Sequence, residues 1–358
     1  MISGMRLFAL LVRPTVAGLL AMLTATGLAQ SGYGEDWALL ARALVVVLGF
    51  LVFSVACNDL ADEAIDRVNL PGQRPLGMRL ISRRGFAITG CTAAAVALGF
   101  SVTLHWPAIA TTAAGLAVSA GYSLRPVRLA DRGALAALVL PGCYVAVPYL
   151  VGVFAATSSA RPGVLLLLAG LYTGFIGRII LKDFRDVRGD ALFGKRTFLV
   201  RHGRRWTCAF SACCWAAGTV IMVGAVPRPT VALAIAYSGC LAGVLCLLRT
   251  LAAAPGARRD ECVIAAIAIL GRGLLLLTLA HLSMVQAGWA AWRYDATIAA
   301  LSLLIAGQTV SMARHGPITR MTVPAGWDAA TERSATLETS TMSPRPSLAP
   351  LGDASRPR

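Results

Sequence analysis

The sequence predicts an all-α polytopic bundle of transmembrane helices, and three observations carry that prediction. Long apolar blocks recur through residues 7–312. Only 14% of residues are charged, where a soluble domain has about a quarter. The basic residues between the blocks fall almost wholly in alternate loops. Ten blocks have the length of a membrane span, about 17–24 residues. They run Leu7–Ala29, Ala38–Cys57, Gly85–Leu104, Trp106–Tyr122, Gly133–Ala156, Pro162–Leu181, Trp206–Val226, Thr230–Leu248, Cys262–Met284 and Ala296–Met312. Backbone polar groups inside lipid must be satisfied within the segment or in a closed barrel. No block alternates at period two, so the spans are read as helices. The fourth and tenth blocks are the shortest, which makes the prediction nine to ten spans.

The loops after even-numbered blocks carry 19 Lys and Arg residues, and those after odd-numbered blocks carry 3. This is the positive-inside asymmetry of a multi-pass membrane protein. It predicts basic loops and both termini in the cytoplasm, with the chain in the cell membrane. A net charge of +16 then needs no nucleic-acid partner. Its basic loops meet anionic headgroups of membrane lipid. Arg6 and Arg13 precede the first apolar run, and Gly27-Leu28-Ala29 resembles a signal cleavage site. Removing that run would spoil the charge alternation, so it is read as the first span. None of the nine Cys forms a C-x-x-C pair, and most lie in apolar runs as packing residues. Residues 1–313 are one membrane domain. From Arg314 to Arg358 the composition turns to Ser, Thr, Pro, Ala and Arg, which predicts a disordered cytoplasmic tail.

The acidic residues are few and unevenly placed. Seven of 17 lie in two short segments: Asp59, Asp62, Glu63 and Asp66, then Asp183, Asp186 and Asp190. Each segment begins where an apolar block ends. Both follow the pattern D-x-x-D-x-x-x-D, a spacing that puts three carboxylates on one helical face. Like charges so placed repel, and carboxylates at a membrane edge need a partner. A hard divalent cation with oxygen ligands, Mg2+, is the economical one, and it bridges carboxylates to phosphate. The expected metal ligands are Asp59, Asp62, Asp66, Asp183, Asp186 and Asp190. Of these, Asp62, Asp66, Asp183 and Asp186 are expected to carry the chemistry.

Basic residues flank both segments. The chain's only two lysines, Lys182 and Lys195, stand beside the second. A compact ammonium suits a phosphate oxygen. Arg178 lies one turn before Lys182 and is expected to face the same cavity, since an Arg within the membrane seldom faces lipid. Arg42 and Arg272, also within spans, are read as structural. Tyr122 and Ser123 precede a basic turn, Arg125-Pro126-Val127-Arg128, that ends the fourth block.

At these residues the chain resembles the UbiA-type intramembrane prenyltransferases. The resemblance lies in Asn58-Asp59 through Asp66 followed by Arg74-Pro75-Leu76, in Tyr122-Ser123 through Pro126 and Arg128, and in Lys182-Asp183 through Asp186, Asp190 and Gly194-Lys195-Arg196-Thr197. It covers the first nine spans. It implies a helical bundle around a central cavity with cytoplasmic cap loops. It also implies transfer of a prenyl group from a prenyl diphosphate to an acceptor, often an aromatic, quinone-precursor or lipid. The substrate-binding residues expected on this basis are Asn58, Arg67, Arg74, Tyr122, Arg128, Arg178, Lys182, Arg188, Lys195 and Arg196. Two features depart from the family: the tenth span, and Arg79 where many members have Gly before Ile-Ser. A membrane terpene cyclase is the alternative enzyme reading. A transporter is disfavoured because the acidic residues gather at helix ends and not at the midplane.

Overall fold

The computed structural model describes residues 10–69, 74–184, 197–253 and 255–317, save the side chains of 67–69 and 134. Among these residues every regular element is helical. In chain order they are α1 Pro14–Gln30, α2 Trp37–Ala61, α3 Glu63–Asn69, α4 Arg83–Ser101, α5 Trp106–Ser123, α6 Ala134–Pro141, α7 Val147–Ala156, α8 Pro162–Ile179, α9 Phe198–Ala225, α10 Val231–Ala253, α11 Ala257–Gln286 and α12 Ala291–His315. A π-turn, Gly142–Ala146, joins α6 to α7 where Pro141 interrupts the ladder. The predicted fifth block is therefore one span with a bulge in it.

The helix starts follow from local chemistry. Asp36 accepts a hydrogen bond from the Leu39 N–H at 2.9 Å and caps α2. Ser82 does the same for the Gly85 N–H at 3.1 Å and caps α4. These side chains satisfy donors that have no partner inside the helix. Pro14, Pro107 and Pro162 stand in the first turns of α1, α5 and α8, where no N–H is needed. α9 is broken at Gly203, whose φ of 76° suits a residue without Cβ. Arg79 adopts φ 54°, the left-handed conformation that the Gly expected there takes freely.

The sequence predicts nine to ten spans; eight described helices are long and apolar enough to cross a membrane. The tenth block, Ala291–His315, is among the eight. The fourth is not: α5 is rich in Ala, Thr, Gly and Ser, which lowers its mean hydropathy. α1 is shorter than the predicted first span because the chain turns at Arg13, whose φ is 49°, and helix α1 starts again at Pro14. Both helices nevertheless pack within the bundle, α1 against α7 and α11, and α5 against α2 and α7. Residues 318–358, where most of the predicted tail lies, are outside the described residues.

Lipid tails are as apolar as Leu, so helices in a membrane associate by close packing at small residues. A Cβ on Gly152 of α7 would lie 2.0 Å from the Thr24 carbonyl oxygen of α1, and one on Gly27 would lie 2.1 Å from the Tyr149 oxygen. α8 and α9 meet in the same way: a Cβ on Gly218 would lie 2.7 Å from the Gly174 nitrogen. The Ser211 hydroxyl donates across that contact to the Gly177 carbonyl at 2.7 Å. One continuous apolar core runs through these helices, with Phe50, Leu20, Tyr149, Leu167 and Leu277 fully enclosed. Replacing Gly152 by Val is expected to lower stability by about 3 kcal/mol, since the two backbones must separate. Gly18→Ala, with nothing within 4 Å of the new Cβ, should not lower it. Thermal melting of the purified variants checks both.

Candidate active site

The C-terminal turn of α2, the start of α1, the end of α5 and the end of α8 come together at one end of the bundle. The first acidic segment lies across the junction of α2 and α3. The Asp62 N–H bonds the Asn58 carbonyl at 2.9 Å, and the Asp66 N–H bonds the Asp62 carbonyl at 2.8 Å, so helical spacing persists through the break. Asp59 and Asp66 consequently share a face. Asp62, at the break, turns to a different neighbour.

Asp59 is only 1% exposed. Its Oδ1 accepts a hydrogen bond from Arg13, and Arg74 Nη1 lies 3.9 Å away. Its Oδ2 is buried with no hydrogen-bond partner. Arg74 also reaches Asp66, with Nε 3.2 Å from Oδ2, close enough for ionic attraction but without hydrogen-bond alignment. Burial pushes the Asp66 carboxyl up to about 6; Arg74 lowers it, the charges of Asp59 and Asp62 raise it, and Arg13 lowers it. Arg128 donates to Asp62 Oδ1 at 2.9 Å and to the Ala61 carbonyl at 3.3 Å. It is held from behind by Asp131 at 2.5 Å. Arg74 and Arg128, expected at the phosphate, are thus in ion pairs with the first segment's own carboxylates. Glu63 pairs with Arg83 at the segment's outer edge.

At the second segment α8 tightens into a 3-10 turn, Ile180–Lys182, and Asp183 follows as its cap. Lys182 is exposed and Asp183 half-buried. Asp62, Asp183 and Lys182 all act electrostatically on the Tyr122 hydroxyl. The proximal members of the two segments therefore lie at the same end of the bundle, within electrostatic reach of one tyrosine. Asp186, Arg188, Asp190, Lys195 and Arg196 lie outside the described residues, as does the side chain of Arg67.

Beneath Tyr122 is a partly open cavity. Arg13, Asn58, Ser54, Ser119 and Ser123 give it polar edges, and Phe50, Leu51, Val55 and Leu140 an apolar wall. Ser119 donates to Ser54 at 2.8 Å. Tyr144, carried by the π-turn, closes one side and stacks on Phe175 of α8 at 5.7 Å between centroids. Beyond Phe175 lies a second, partly open chamber, to which Arg178 contributes. Arg178 sits 5.3 Å from the Phe175 ring centroid.

Residues 18–270 match the family model described as UbiA prenyltransferase family. The chain belongs to the UbiA prenyltransferase family. It is 29% identical over 174 residues to the bacteriochlorophyll synthase 33 kDa chain of Cereibacter sphaeroides, covering 48% of this chain and 57% of that protein. It is 30% identical over 183 residues to digeranylgeranylglyceryl phosphate synthase of Thermococcus gammatolerans, covering 49% and 63%. The matches to these UbiA relatives thus span roughly half to two thirds of their length. Among solved structures, a UbiA homolog from Archaeoglobus fulgidus bound to DMAPP and Mg2+ superposes with a TM-score of 0.51 at 13% identity, covering 86% of this chain and 99% of that one. A digeranylgeranylglyceryl phosphate synthase structure gives 0.59 at 18% identity, with 78% and 98% covered. These two likenesses show the UbiA fold.

Sequence reasoning missed Arg13 and Tyr144 at this site. The signal for Arg13 was an Arg-Pro pair at the start of an apolar run, which reads as a topological charge. It also missed a bidentate pair at the same end of the bundle, Arg204 to Asp260 at 2.8 and 2.5 Å, with Arg204 5.0 Å from the Phe184 ring. Removing Arg13 leaves Asp59 buried with a long hydrogen bond from Asn58 Nδ2 at 3.4 Å and the more distant Arg74. Arg13→Ala is expected to cost about 3–5 kcal/mol, and the double variant Arg13→Leu/Asp59→Leu much less. Thermal melting of both, side by side, measures this.

Proposed function

We propose that this protein transfers a prenyl group from a prenyl diphosphate to an acceptor within the membrane, with a divalent cation, Mg2+, held by its two acidic segments. The observation that carries this reading is the cluster of Asp59, Asp62 and Asp66 with its arginines at the end of α2, beside a cavity that Arg13, Asn58 and Tyr122 line. One end of the cavity suits charge and the other hydrocarbon, as an amphiphilic diphosphate requires. The residues also fit a cation. Asp59 Oδ2 is buried without a hydrogen-bond partner, and Asp66 is crowded by two other carboxylates. An all-oxygen donor set of this kind suits a hard divalent ion. Ligands assigned to it are Asp59, Asp62, Asp66 and Asp183, with Asp186 and Asp190. That a UbiA homolog from A. fulgidus with this fold is bound to DMAPP and Mg2+ supports a cation in this reading.

Bound Mg2+ supplies positive charge for the departing diphosphate. The chain's own groups do the remainder. Lys182, with Arg188, Lys195 and Arg196, is assigned to the phosphate oxygens. Asn58 and Tyr122 orient the diphosphate at the mouth. Phe50, Leu51 and Val55 keep water from the allylic carbon and hold the hydrocarbon. The C–O bond breaks with its electron pair leaving on diphosphate. The acceptor's nucleophilic atom bonds the same carbon, and its proton leaves to solvent. Fixed charge set out in advance in a dry site lowers the barrier most where charge develops.

Diphosphate release by the purified protein in nanodiscs, with geranylgeranyl diphosphate and a panel of acceptors, tests the reading. Release is expected with Mg2+ and not with EDTA. Asp62→Ala, Asp183→Ala and Asp186→Ala should each lose about 10²–10³-fold while remaining folded. Normal turnover in Asp62→Ala would remove that residue from the site. A cyclic hydrocarbon formed without acceptor would replace transfer by cyclisation.

Asp66 adds a pH dependence. Its folded carboxyl titrates near 6, above its unfolded value, so the cation-free fold loses stability as pH rises through that point. Below it, a proton competes with the cation. Stabilisation of the fold by Mg2+ in thermal melting is therefore expected to grow between about pH 5 and 7. In Asp66→Asn that growth should vanish.

A further inference from the structure

Arg272 stands midway along α11, the helix Ala257–Gln286. At 1.5 Å per residue it is about 21 Å or more from either end, which is the middle of a hydrocarbon core. A cation at that depth is costly unless something compensates it. Arg42, the other span Arg read as structural, has a cross-helix partner: its Nη1 donates to the Thr103 carbonyl at 3.2 Å. Arg272 does not. Its one hydrogen bond among the described residues is Nε to the Ala268 carbonyl of its own helix, at 3.3 Å. No described carboxylate pairs with it.

Arg272 is among the residues that line the second chamber, beyond Phe175. Leu19, Leu23, Leu171 and Leu275 line it too, and Arg178 gives it a second cation. No carboxylate is among the lining residues. Trp215 is also part of the wall, and its indole N–H is buried without an acceptor. A hydrocarbon tail would leave Arg272 and the Trp215 indole uncompensated. The chamber asks for an occupant with an apolar body and an anionic group. Tyr144 lines the cavity below Tyr122, Phe175 lines this chamber, and the two rings stack on each other.

We propose that this second chamber binds the acceptor, and that Arg272 grips an anionic group on it, a carboxylate or a phosphate monoester. That the occupant is the acceptor rests on the prenyl-transfer reading; that Arg272 binds an anion does not. The prenyl diphosphate keeps the cavity under Tyr122, and the acceptor's nucleophilic atom reaches it past the aromatic pair. Arg272 touches only the remote end of the acceptor, so it sets specificity and takes no part in bond making.

The test is calorimetric titration of the purified full-length protein in neutral-lipid nanodiscs with 4-hydroxybenzoate, phenyl phosphate and, as uncharged control, 4-hydroxybenzyl alcohol. At least one anion should bind the wild type and Arg272→Lys, and should bind Arg272→Leu about 10- to 100-fold more weakly. Which anion binds tells carboxylate from phosphate. The alcohol should bind all three proteins alike and weakly. Geranylgeranyl diphosphate should bind Arg272→Leu within twofold of wild type. Gly174→Leu is a second variant, should Arg272→Leu not fold. A Cβ there has only Trp215 at 4.0 Å, so Leu fills the chamber and should abolish anion binding. If neither anion binds the wild type, or if Arg272→Leu binds it equally, the proposal is overturned. Equal loss of diphosphate binding in Arg272→Leu also overturns it, because the chamber then belongs to the prenyl site. Arg272-dependent anion binding in a protein that releases no diphosphate would leave the anion site standing and remove the prenyl-transfer reading alone.

Discussion

Everything at the motif end of this bundle depends on how buried carboxylates are neutralised. Asp59 lies at the end of an apolar helix with almost no contact with solvent. An unpaired carboxylate there would cost several kcal/mol in lost hydration. The chain answers with arginines from three separate segments: Arg13 ahead of α1, Arg74 from the loop after α3, and Arg128 from the turn after α5. Each pair is also a cross-link between segments distant in sequence. The electrostatic need of one acidic motif therefore fixes where α1, α2 and α5 end relative to one another. A fourth clamp, Arg204 on Asp260, ties the start of α9 to the start of α11 beside Phe184.

Packing among the helices makes those charges useful. Glycines at the α1–α7 and α8–α9 contacts bring backbones close, and the larger side chains are left to enclose space elsewhere. Two chambers result, one lined by Tyr144 and the other by Phe175, whose rings stack. Tyr144 is aimed by the π-turn, an interruption of the helical ladder of the kind that recurs at functional sites. The first chamber opens among the paired acids and the second holds Arg272. Charge and hydrocarbon surface are thus divided between two neighbouring spaces.

Much of this was written in one dimension. The apolar blocks and the alternation of basic loops specify a helical membrane bundle, because lipid admits only self-satisfied backbone and charge decides orientation. Every predicted block has a helix in it. The repeated D-x-x-D-x-x-x-D spacing marks the two acidic segments, since helical periodicity converts spacing directly into a shared face. Where the prediction slipped, the cause is local. α5 carries small and polar residues, several of them buried against its neighbours, which lower its mean hydropathy. Arg13 breaks the first block because its side chain is needed at Asp59.

Partners were decided by the folded chain alone. No spacing says that Arg74 and Arg128 face the first segment's carboxylates, that Tyr144 stacks on Phe175, or that Arg272 faces a chamber and not a carboxylate. The pairs among these join residues from 8 to 66 positions apart. They are set by which helices the glycine contacts bring together and by the desolvation of charge that follows. Periodicity determines which side of a helix a residue is on; only the packed bundle determines what stands opposite.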